Sequence, residues 1–191
     1  MVEHLTVNQK VIGSRPVRGA IIFINVLESI NMKYVIADTH FGHSNIIKYC
    51  NRPFSSVAEM NDKLIGNWNK TIKHDDIVYH LGDVFFGKEN SSIIHELNGT
   101  KHLIIGNHDN IRDRDILGGF SKILLNKNIF DSKGRQWHLT HMPIVVENNI
   151  INVHGHIHDK KINDNKHICV SVEHINYTPL NIDELHTLIN H

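Results

Sequence analysis

The chain has 191 residues, 40% of them hydrophobic, and its 20 basic and 20 acidic side chains cancel to a formal net charge of zero. This length suits one domain with a buried core, and the apolar content excludes a disordered chain. No apolar run is long enough to span a bilayer, and a balanced charge argues against attachment to nucleic acid or anionic lipid by bulk electrostatics alone. Two cysteines without metal-type spacing predict a reducing, cytoplasmic setting. The 17 histidines are the unusual feature, and they indicate metal or acid–base chemistry.

The N-terminal part, residues 1–31, differs from the rest of the chain. Its apolar stretch Ala20–Ile24 follows basic residues, as in a secretory signal, but an acidic residue precedes it and no A-x-A-like cleavage site follows. Met32 leads directly into an apolar run typical of a first core strand. We therefore predict an extension over residues 1–31, peripheral or derived from an upstream start, and a single domain over residues 32–191.

Strands and helices alternate in the first half of that domain. Strands are predicted where short apolar runs end in polar residues, and helices where apolar residues recur at helical spacing. The predicted elements are strand Tyr34–Ala37, a helix capped by Ser55 and Ser56 with Glu59, strand Ile77–Leu81, helix Ser92–Leu97 and strand His102–Ile105. This alternation indicates βαβ units and a parallel sheet.

The pattern changes after about Gly119, where turn residues separate short apolar runs and leave little room for helices. The predicted strands of this part are Ile123–Leu125, Trp137–Thr140, Ile150–Val153 and Ile168–Val172. A terminal helix, Asn181–Ile189, carries its apolar residues on one stripe, with Asn181 as its cap.

Polar clusters follow the predicted strands at the points where they end. Asp38–His40 follows the first strand, Gly82–Asp83 the second and Gly106–Asp109 the third. Because open parallel sheets bind ligands outside the carboxyl ends of their strands, these clusters are expected to converge. The second half of the chain adds His141 at a strand end and the motif Gly155–His158.

These clusters offer two aspartates, one asparagine and four or five histidines, without cysteine. In an extended segment residues i and i+2 point the same way, so Asp38 and His40 can share one ion, and His156 and His158 can do the same. Oxygen and imidazole donors favour Mn, Fe, Zn, Ni or Co, and they disfavour Ca²⁺ and a thiolate zinc site. Seven ligands exceed the need of one tetrahedral ion, so two ions sharing a bridging carboxylate fit better.

Five motifs in one order, Asp-x-His, Gly-Asp, Gly-Asn-His-Asp, His and Gly-His-x-His, resemble the calcineurin-like metallophosphoesterase superfamily over about residues 32–180. The segment Ala37–Ile47, followed by Arg52–Phe54, is similar to the small cap-less bacterial and phage members. Residues 142–154 are too few to hold a cap domain. The resemblance implies an α/β fold of the α+β sandwich type, in which two mixed β-sheets pack face to face and helices flank them.

The resemblance also implies a role for each residue of the motifs. The first metal would be held by Asp38, His40 and His158, with Asp83 as the bridge to the second metal. The second metal would be held by Asn107, His141 and His156. His108 would stand beside the leaving group and would be oriented by Asp109.

Three more residues are candidates for substrate binding. His43 and Asn45 either cap the helical segment Asn45–Tyr49 or touch the substrate phosphate. Through the resemblance, Arg52 is a phosphate-binding guanidinium, although a surface position before a turn would also suit it. His80 and His154 alternate with apolar neighbours, and we predict that they are hydrogen-bonded core residues or residues that contact the ligands.

The sequence thus predicts a metal-dependent phosphoesterase, in which two divalent ions, Mn²⁺ before Fe, Zn, Ni or Co, activate hydroxide to attack a phosphodiester or phosphomonoester. His108 would protonate the departing oxygen. A nuclease or cyclic-nucleotide phosphodiesterase of the same chemistry is an alternative, as is a non-catalytic scaffold, although such scaffolds lose ligands that are complete here. The expected partner is a phosphoester, nucleotides and nucleic acids included, and no membrane.

Overall fold

The computed structural model describes residues 31–147 and 150–189. The predicted extension over residues 1–31 lies outside this part except for Asn31, so the domain division stays a prediction. Within the described ranges, no helix is long and apolar enough to cross a membrane.

The described residues form nine strands, three α-helices and two 3₁₀-helices. The strands are β1 (Lys33–Ile36), β2 (Ile77–His80), β3 (Thr100–Ile104), β4 (Lys122–Leu124), β5 (Lys127–Phe130), β6 (Gln136–Leu139), β7 (Ile151–His154), β8 (His167–Cys169) and β9 (Leu180–Asn181). The α-helices are α1 (Ser44–Tyr49), α2 (Val57–Thr71) and α3 (Arg114–Gly119), and the 3₁₀-helices are Lys88–Glu96 and Ile182–Leu188.

The strands make two mixed sheets. The first has the order β4-β3-β2-β1-β9, in which β1 to β4 are parallel and β9 pairs antiparallel with β1. The second has the order β5-β6-β7-β8, in which β5 pairs antiparallel with β6 and the remaining pairs are parallel. One hydrophobic cluster includes fully buried residues from both sheets, Val35 and Leu103 from the first, Trp137 and Val153 from the second. The predicted fold of two mixed sheets with flanking helices is confirmed.

Helix α2 shows how the local sequence sets an element. The Ser56 hydroxyl accepts a hydrogen bond from the Glu59 N–H (3.1 Å), as predicted for its cap. One stripe of the helix is buried, and its residues recur every four positions: Met60, Leu64 and Trp68. This spacing places them on one face of an α-helix, which packs against the core.

Several elements differ from the sequence prediction. The predicted helices Ser92–Leu97 and Asn181–Ile189 are 3₁₀-helices, although Asn181 does cap the second by accepting from the Asp183 N–H (2.9 Å). The strands β5 and β9 and the helix α3 were not predicted.

The predicted strand Ile168–Val172 leaves the second sheet after Cys169 and turns toward the first. Val170 donates its N–H to the His154 carbonyl of β7 (2.8 Å), while its own carbonyl accepts from Ala37 (2.9 Å). Val172 in turn donates to the Ala37 carbonyl (3.1 Å). This crossing joins the carboxyl end of β1 to that of β7, where the polar clusters lie.

Candidate metal centre

The first group of possible metal ligands consists of Asp38, His40 and His158, whose ligand atoms all lie within 4.8 Å of one another. Asp38 and His40 follow β1, and His158 follows β7. The bridge between Ala37 and Ser171, which follows β8, and the hydrogen bond from Val170 to His154 of β7 bring together residues that are more than a hundred positions apart.

The second group consists of Asp83, His141 and His156, whose ligand atoms meet the same 4.8 Å limit. The Asp83 Oδ2 atom lies 3.5 Å from His40 Nε2 and 3.6 Å from His141 Nε2. Asp83 therefore stands between the two groups, where a bridging carboxylate would be. Asn107 joins the second group, because its Oδ1 lies 2.8 Å from His141 Nε2 and 3.0 Å from His156 Nδ1.

The hydrogen bonds around these side chains fit a cation. His141 Nδ1 lies 2.7 Å from the Leu81 carbonyl, so a neutral His141 ring carries its proton there and turns an unprotonated Nε2 toward the oxygens of Asn107 and Asp83. In the first group, Asp38 Oδ1 and both ring nitrogens of His40 are buried without a hydrogen-bond partner. Because buried polar atoms are normally satisfied, the unpartnered oxygen of Asp38 and the unprotonated nitrogen of a neutral His40 ring match a bound metal ion.

Backbone strain marks the same residues. Eight non-glycine residues of the described ranges have positive φ, and five of them are candidate ligands: Asp38 (56°), His40 (47°), Asp83 (57°), His156 (72°) and His158 (52°). Left-handed conformations of this kind cost about 1–3 kcal/mol each and persist where the surroundings impose them. The strain is thus concentrated at the strand ends that converge on the site.

Three glycines leave room for the ligands. Gly82 has a φ of +93°, and a Cβ on it would stand 2.5 Å from the Gly106 backbone nitrogen and 2.7 Å from His141 Nδ1. A Cβ on Gly106 would collide with the Asp83 carboxylate, and one on Gly155 would collide with that of Asp38. The glycine of each motif is therefore needed for close approach.

Burial shifts the pKa of Asp38 and of His40 in the first group. Burial raises the pKa of Asp38 to about 6, although the charge of His158 and the hydrogen bond from Ser171 both act to lower it. Burial lowers the pKa of His40 to about 2. His40 is therefore neutral and able to coordinate near pH 7. Burial also opposes protonation of His158, but its contacts with Cys50 and Glu173 and the charge of Asp38 outweigh that effect and raise its pKa to about 10. A metal ion at this site would therefore compete with a proton on His158.

Residues 34–187 match the family model described as calcineurin-like phosphoesterase. The chain belongs to the calcineurin-like phosphoesterase family. An uncharacterized protein of Methanocaldococcus jannaschii, MJ1445, is 38% identical over 82% of this chain and 90% of its own length. The Gene 66 protein of Mycobacterium phage L5 is 33% identical over 38% of this chain and 37% of its own length.

A solved structure has the same fold. AQ665 of Aquifex aeolicus, a protein of unknown function, aligns with a TM-score of 0.65 and 27% identity over 83% of this chain and 99% of its own. Family membership makes this protein a metal-dependent phosphoesterase in general terms, a hydrolase that acts on phosphoesters. Members typically bind divalent metals, and the two groups of ligands provide for them.

The contacts of Asp109 differ from the role that the family resemblance implied, in which it orients the His108 ring. Its carboxylate accepts hydrogen bonds from the backbone N–H groups of Asp83 (2.9 Å), Val84 (2.9 Å) and Gly106 (2.8 Å). Asp109 therefore ties the second strand-end loop to the third, and it acts as a positioning residue for Asp83. Although exposed, His108 is fixed at its backbone, where its N–H donates to Asp83 Oδ1 (2.9 Å).

Arg52 is also placed differently from its predicted role as a phosphate ligand. Its side chain is fully buried, and it donates from Nη2 to Glu173 Oε1 (2.7 Å) and to the Asp38 carbonyl (2.7 Å), and from Nη1 to the Thr39 carbonyl (3.0 Å). With its donors engaged inside the protein, the guanidinium supports the loop that carries Asp38 and His40.

Glu173 and Cys50 were missed by the sequence reasoning. With His158 they form a third group whose ligand atoms lie within 4.8 Å of one another. The rule that polar residues follow strand ends would have found Glu173, since it comes directly after the predicted strand Ile168–Val172. For Cys50, at the end of α1, the sequence offers no comparable signal.

The two remaining substrate-binding candidates, His43 and Asn45, differ in their position relative to the ligands. His43 occupies the N-cap position of α1, but its side chain makes no capping hydrogen bond, and its ring centroid lies 5.3 Å from that of His40. Asn45 is exposed in the first turn of α1. His43 is thus beside the first group of ligands, whereas contact of Asn45 with a substrate stays a prediction.

Proposed function

We propose that this protein hydrolyses phosphodiesters or phosphomonoesters at a centre of two divalent metal ions. The observation that carries the proposal is the position of Asp83, whose Oδ2 lies 3.5 Å from a histidine of one ligand group and 3.6 Å from a histidine of the other. One carboxylate between two groups of ligands is the arrangement of binuclear sites that catalyse in-line phosphoryl displacement.

In this proposal Asp38, His40 and His158 would hold the first ion, Asn107, His141 and His156 would hold the second, and Asp83 would contribute its carboxylate to both. When bound, the two ions would supply positive charge that attracts a phosphate. The same charge would lower the pKa of bound water toward about 7, so that hydroxide is available near neutral pH. Direct attack by hydroxide would require no nucleophile from the protein, and no serine, threonine or cysteine is among these proposed ligands.

The protein's own part in catalysis is orientation and proton transfer. His108 is exposed beside the ligands, with its ring centroid 5.6 Å from that of His40. We assign it the role of general acid, which donates a proton to the departing oxygen. Its backbone hydrogen bond to Asp83 Oδ1 fixes its distance from the bridging carboxylate, and Asp109 stabilises the same loop through three backbone amides.

For the metal we propose Mn²⁺, with Fe, Zn, Ni or Co as substitutes, because the donors are oxygen and imidazole without thiolate. The substrate is a phosphoester, and nucleotides and nucleic acids belong to this class. Cys50 and Cys169 are both free. Free thiols are typical of a reducing compartment, so we propose the cytoplasm as the location.

The test begins with protein freed of metal by a chelator and reloaded with Mn²⁺. Elemental analysis is expected to find two equivalents, and hydrolysis is expected to return with the metal. Turnover should then be measured on monoesters, cyclic nucleotides, and single-stranded RNA and DNA. Binding of less than one equivalent would contradict a binuclear site, whereas two equivalents without hydrolysis of any ester would favour a non-catalytic scaffold.

A further inference from the structure

Three rings stand in contact beside the first ligand group, and we call His43, Tyr49 and Phe86 the aromatic edge. The His43 and Phe86 rings are stacked, with centroids 4.3 Å apart and planes only 14° from parallel. Tyr49 meets the His43 ring edge-on at 6.4 Å. Although one face of its ring is covered, Phe86 remains 48% exposed, and Tyr49 is 71% exposed.

The aromatic edge is held in place by backbone contacts. Phe86 donates its N–H to the Phe41 carbonyl (2.8 Å), and its own carbonyl accepts from the Asn90 side-chain amide (2.7 Å). Tyr49 is the last residue of α1, which begins next to His43. The backbone at Phe86 is therefore fixed and its ring rests on that of His43, so that little ordering of Phe86 is needed when a ligand binds.

His43 connects the aromatic edge to the metal centre. Its ring centroid lies 5.3 Å from that of His40 on one side and 4.3 Å from that of Phe86 on the other. The His43 ring thus lies between the ligand His40 and the exposed ring of Phe86. A planar group linked to phosphate through a sugar spans such an offset better than a ring esterified directly to phosphorus.

We propose that the aromatic edge stacks the nucleobase of a substrate whose phosphate lies at the metal centre. This inference rests on the proposed function and narrows its substrates to nucleotides or single strands with an unpaired base. An unpaired base is required because only unstacked bases offer a free face to aromatic side chains. Stacking of this kind tolerates any base, so we expect little sequence preference.

The experiment compares each base-bearing substrate with its abasic counterpart, in wild type and in Phe86→Ala. One pair is a single-stranded oligodeoxynucleotide and an abasic strand of equal length, and the other is a nucleoside monophosphate and deoxyribose phosphate. Removal of one stacking ring is expected to lower the ratio of kcat/KM, base-bearing over abasic, by about fivefold to a hundredfold. Phe86→Trp should keep the ratio near the wild-type value.

Phe130→Ala is the matched control, since Phe130 is an aromatic of similar exposure (54%) on β5, and it should leave the ratio unchanged. A loss confined to the strand pair identifies a polymer substrate, and a loss confined to the monophosphate pair identifies a free nucleotide. If Phe86→Ala leaves the ratio unchanged, or lowers both members of a pair equally, the stacking proposal is wrong.

Failure of the proposed function would be visible separately. If the Mn²⁺-loaded wild type hydrolyses none of these esters, the monophosphate and deoxyribose phosphate can be titrated into it by calorimetry without turnover. The stacking proposal then requires that the monophosphate binds more tightly and that Phe86→Ala removes the difference. Equal affinities in the wild type would overturn it.

Discussion

The buried guanidinium of Arg52 lies 2.7 Å from Glu173 Oε1, and the same oxygen lies 3.5 Å from Nδ1 of His158. Burial would raise the pKa of Glu173, but its contacts with His158 and Arg52 outweigh that effect and lower it. Glu173 is therefore ionised and lies beside Nδ1, and we expect Nε2 of His158 to be the nitrogen that binds a metal ion. Carboxylates that hold a histidine in this way fix its tautomer and orientation.

The first prediction concerns Glu173→Gln, which keeps the size of the side chain and removes its charge. We expect the affinity for one of the two ions to fall by about 10- to 100-fold, the usual effect of losing such a partner. Calorimetric titration of the metal-free protein with Mn²⁺ measures this without reference to activity.

Asp164→Asn is the control for Glu173→Gln, because Asp164 also faces a histidine nitrogen, His167 Nδ1 at 2.9 Å, but outside the ligand groups. It should leave both ions bound as in the wild type. Unchanged binding of both ions in Glu173→Gln would show that Glu173 serves the fold alone.

The second prediction compares Asp83→Asn with Asn107→Ala. In Asp83→Asn an amide replaces the carboxylate between the two groups, so both ions lose a charged ligand, whereas Asn107→Ala removes one neutral ligand from one ion. We expect turnover at saturating Mn²⁺ to fall about a hundredfold or more in Asp83→Asn and less in Asn107→Ala. Elemental analysis should show loss of both ions only in the first variant, and near-wild-type turnover of Asp83→Asn would refute the bridge.

The third prediction is a pH dependence of stability that comes from His80. This residue is fully buried, with Nε2 3.0 Å from the Thr39 hydroxyl and Nδ1 accepting from the Gly82 N–H (3.2 Å). Burial, with a smaller effect from His141, lowers the pKa of His80 to about 3. Between about pH 3 and its usual pKa of about 6.5, the unfolded chain binds a proton that the folded chain does not, so stability falls as the pH falls.

From pH 7 to pH 5 this one residue should cost about 2 kcal/mol of unfolding free energy. Urea denaturation of wild type and His80→Gln in the presence of a chelator measures it, because the other histidines titrate in both proteins. The change between the two pH values should be smaller in His80→Gln. Equal changes in the two proteins would mean that His80 does not contribute.

The sequence pointed to the candidate ligands because a local rule governs where they lie. Asp38, Asp83 and Asn107 each come two or three residues after the end of a parallel strand, and parallel strands end at one edge of a sheet. The strands themselves were visible as apolar runs. Such a rule does not depend on contacts between distant parts of the chain, so it can be recognised from the sequence alone.

What the sequence did not predict depends on such contacts. Arg52 and Glu173 are 121 positions apart, and nothing near either residue indicates the other. Asp109 follows His108 in the chain, yet the turn of the loop directs its carboxylate to backbone amides instead. The strand β9 has two residues, and β5 buries only Ile129, so neither carries a hydrophobic pattern long enough to be recognised.

The last prediction separates the role of His108 from that of the metal ligands by leaving-group chemistry. A sugar alkoxide is a poor leaving group and needs a proton in the transition state, whereas p-nitrophenolate is already stable as an anion. If His108 is the general acid, His108→Ala should slow hydrolysis of esters with an alkoxide leaving group by about 100- to 10,000-fold. The same variant should lose far less on a p-nitrophenyl ester.

His141→Ala provides the comparison, because it removes a ligand of an ion that stabilises the transition state for every leaving group. It should therefore slow both classes of ester alike. The measurement is kcat/KM for two esters in two variants with excess Mn²⁺. Since the Asp109 carboxylate accepts hydrogen bonds from three backbone amides, we expect that Asp109→Asn does not reproduce the leaving-group dependence of His108→Ala. If His108→Ala lowers kcat/KM equally for both esters, His108 binds the phosphate or the metal. The proton would then have to come from another group.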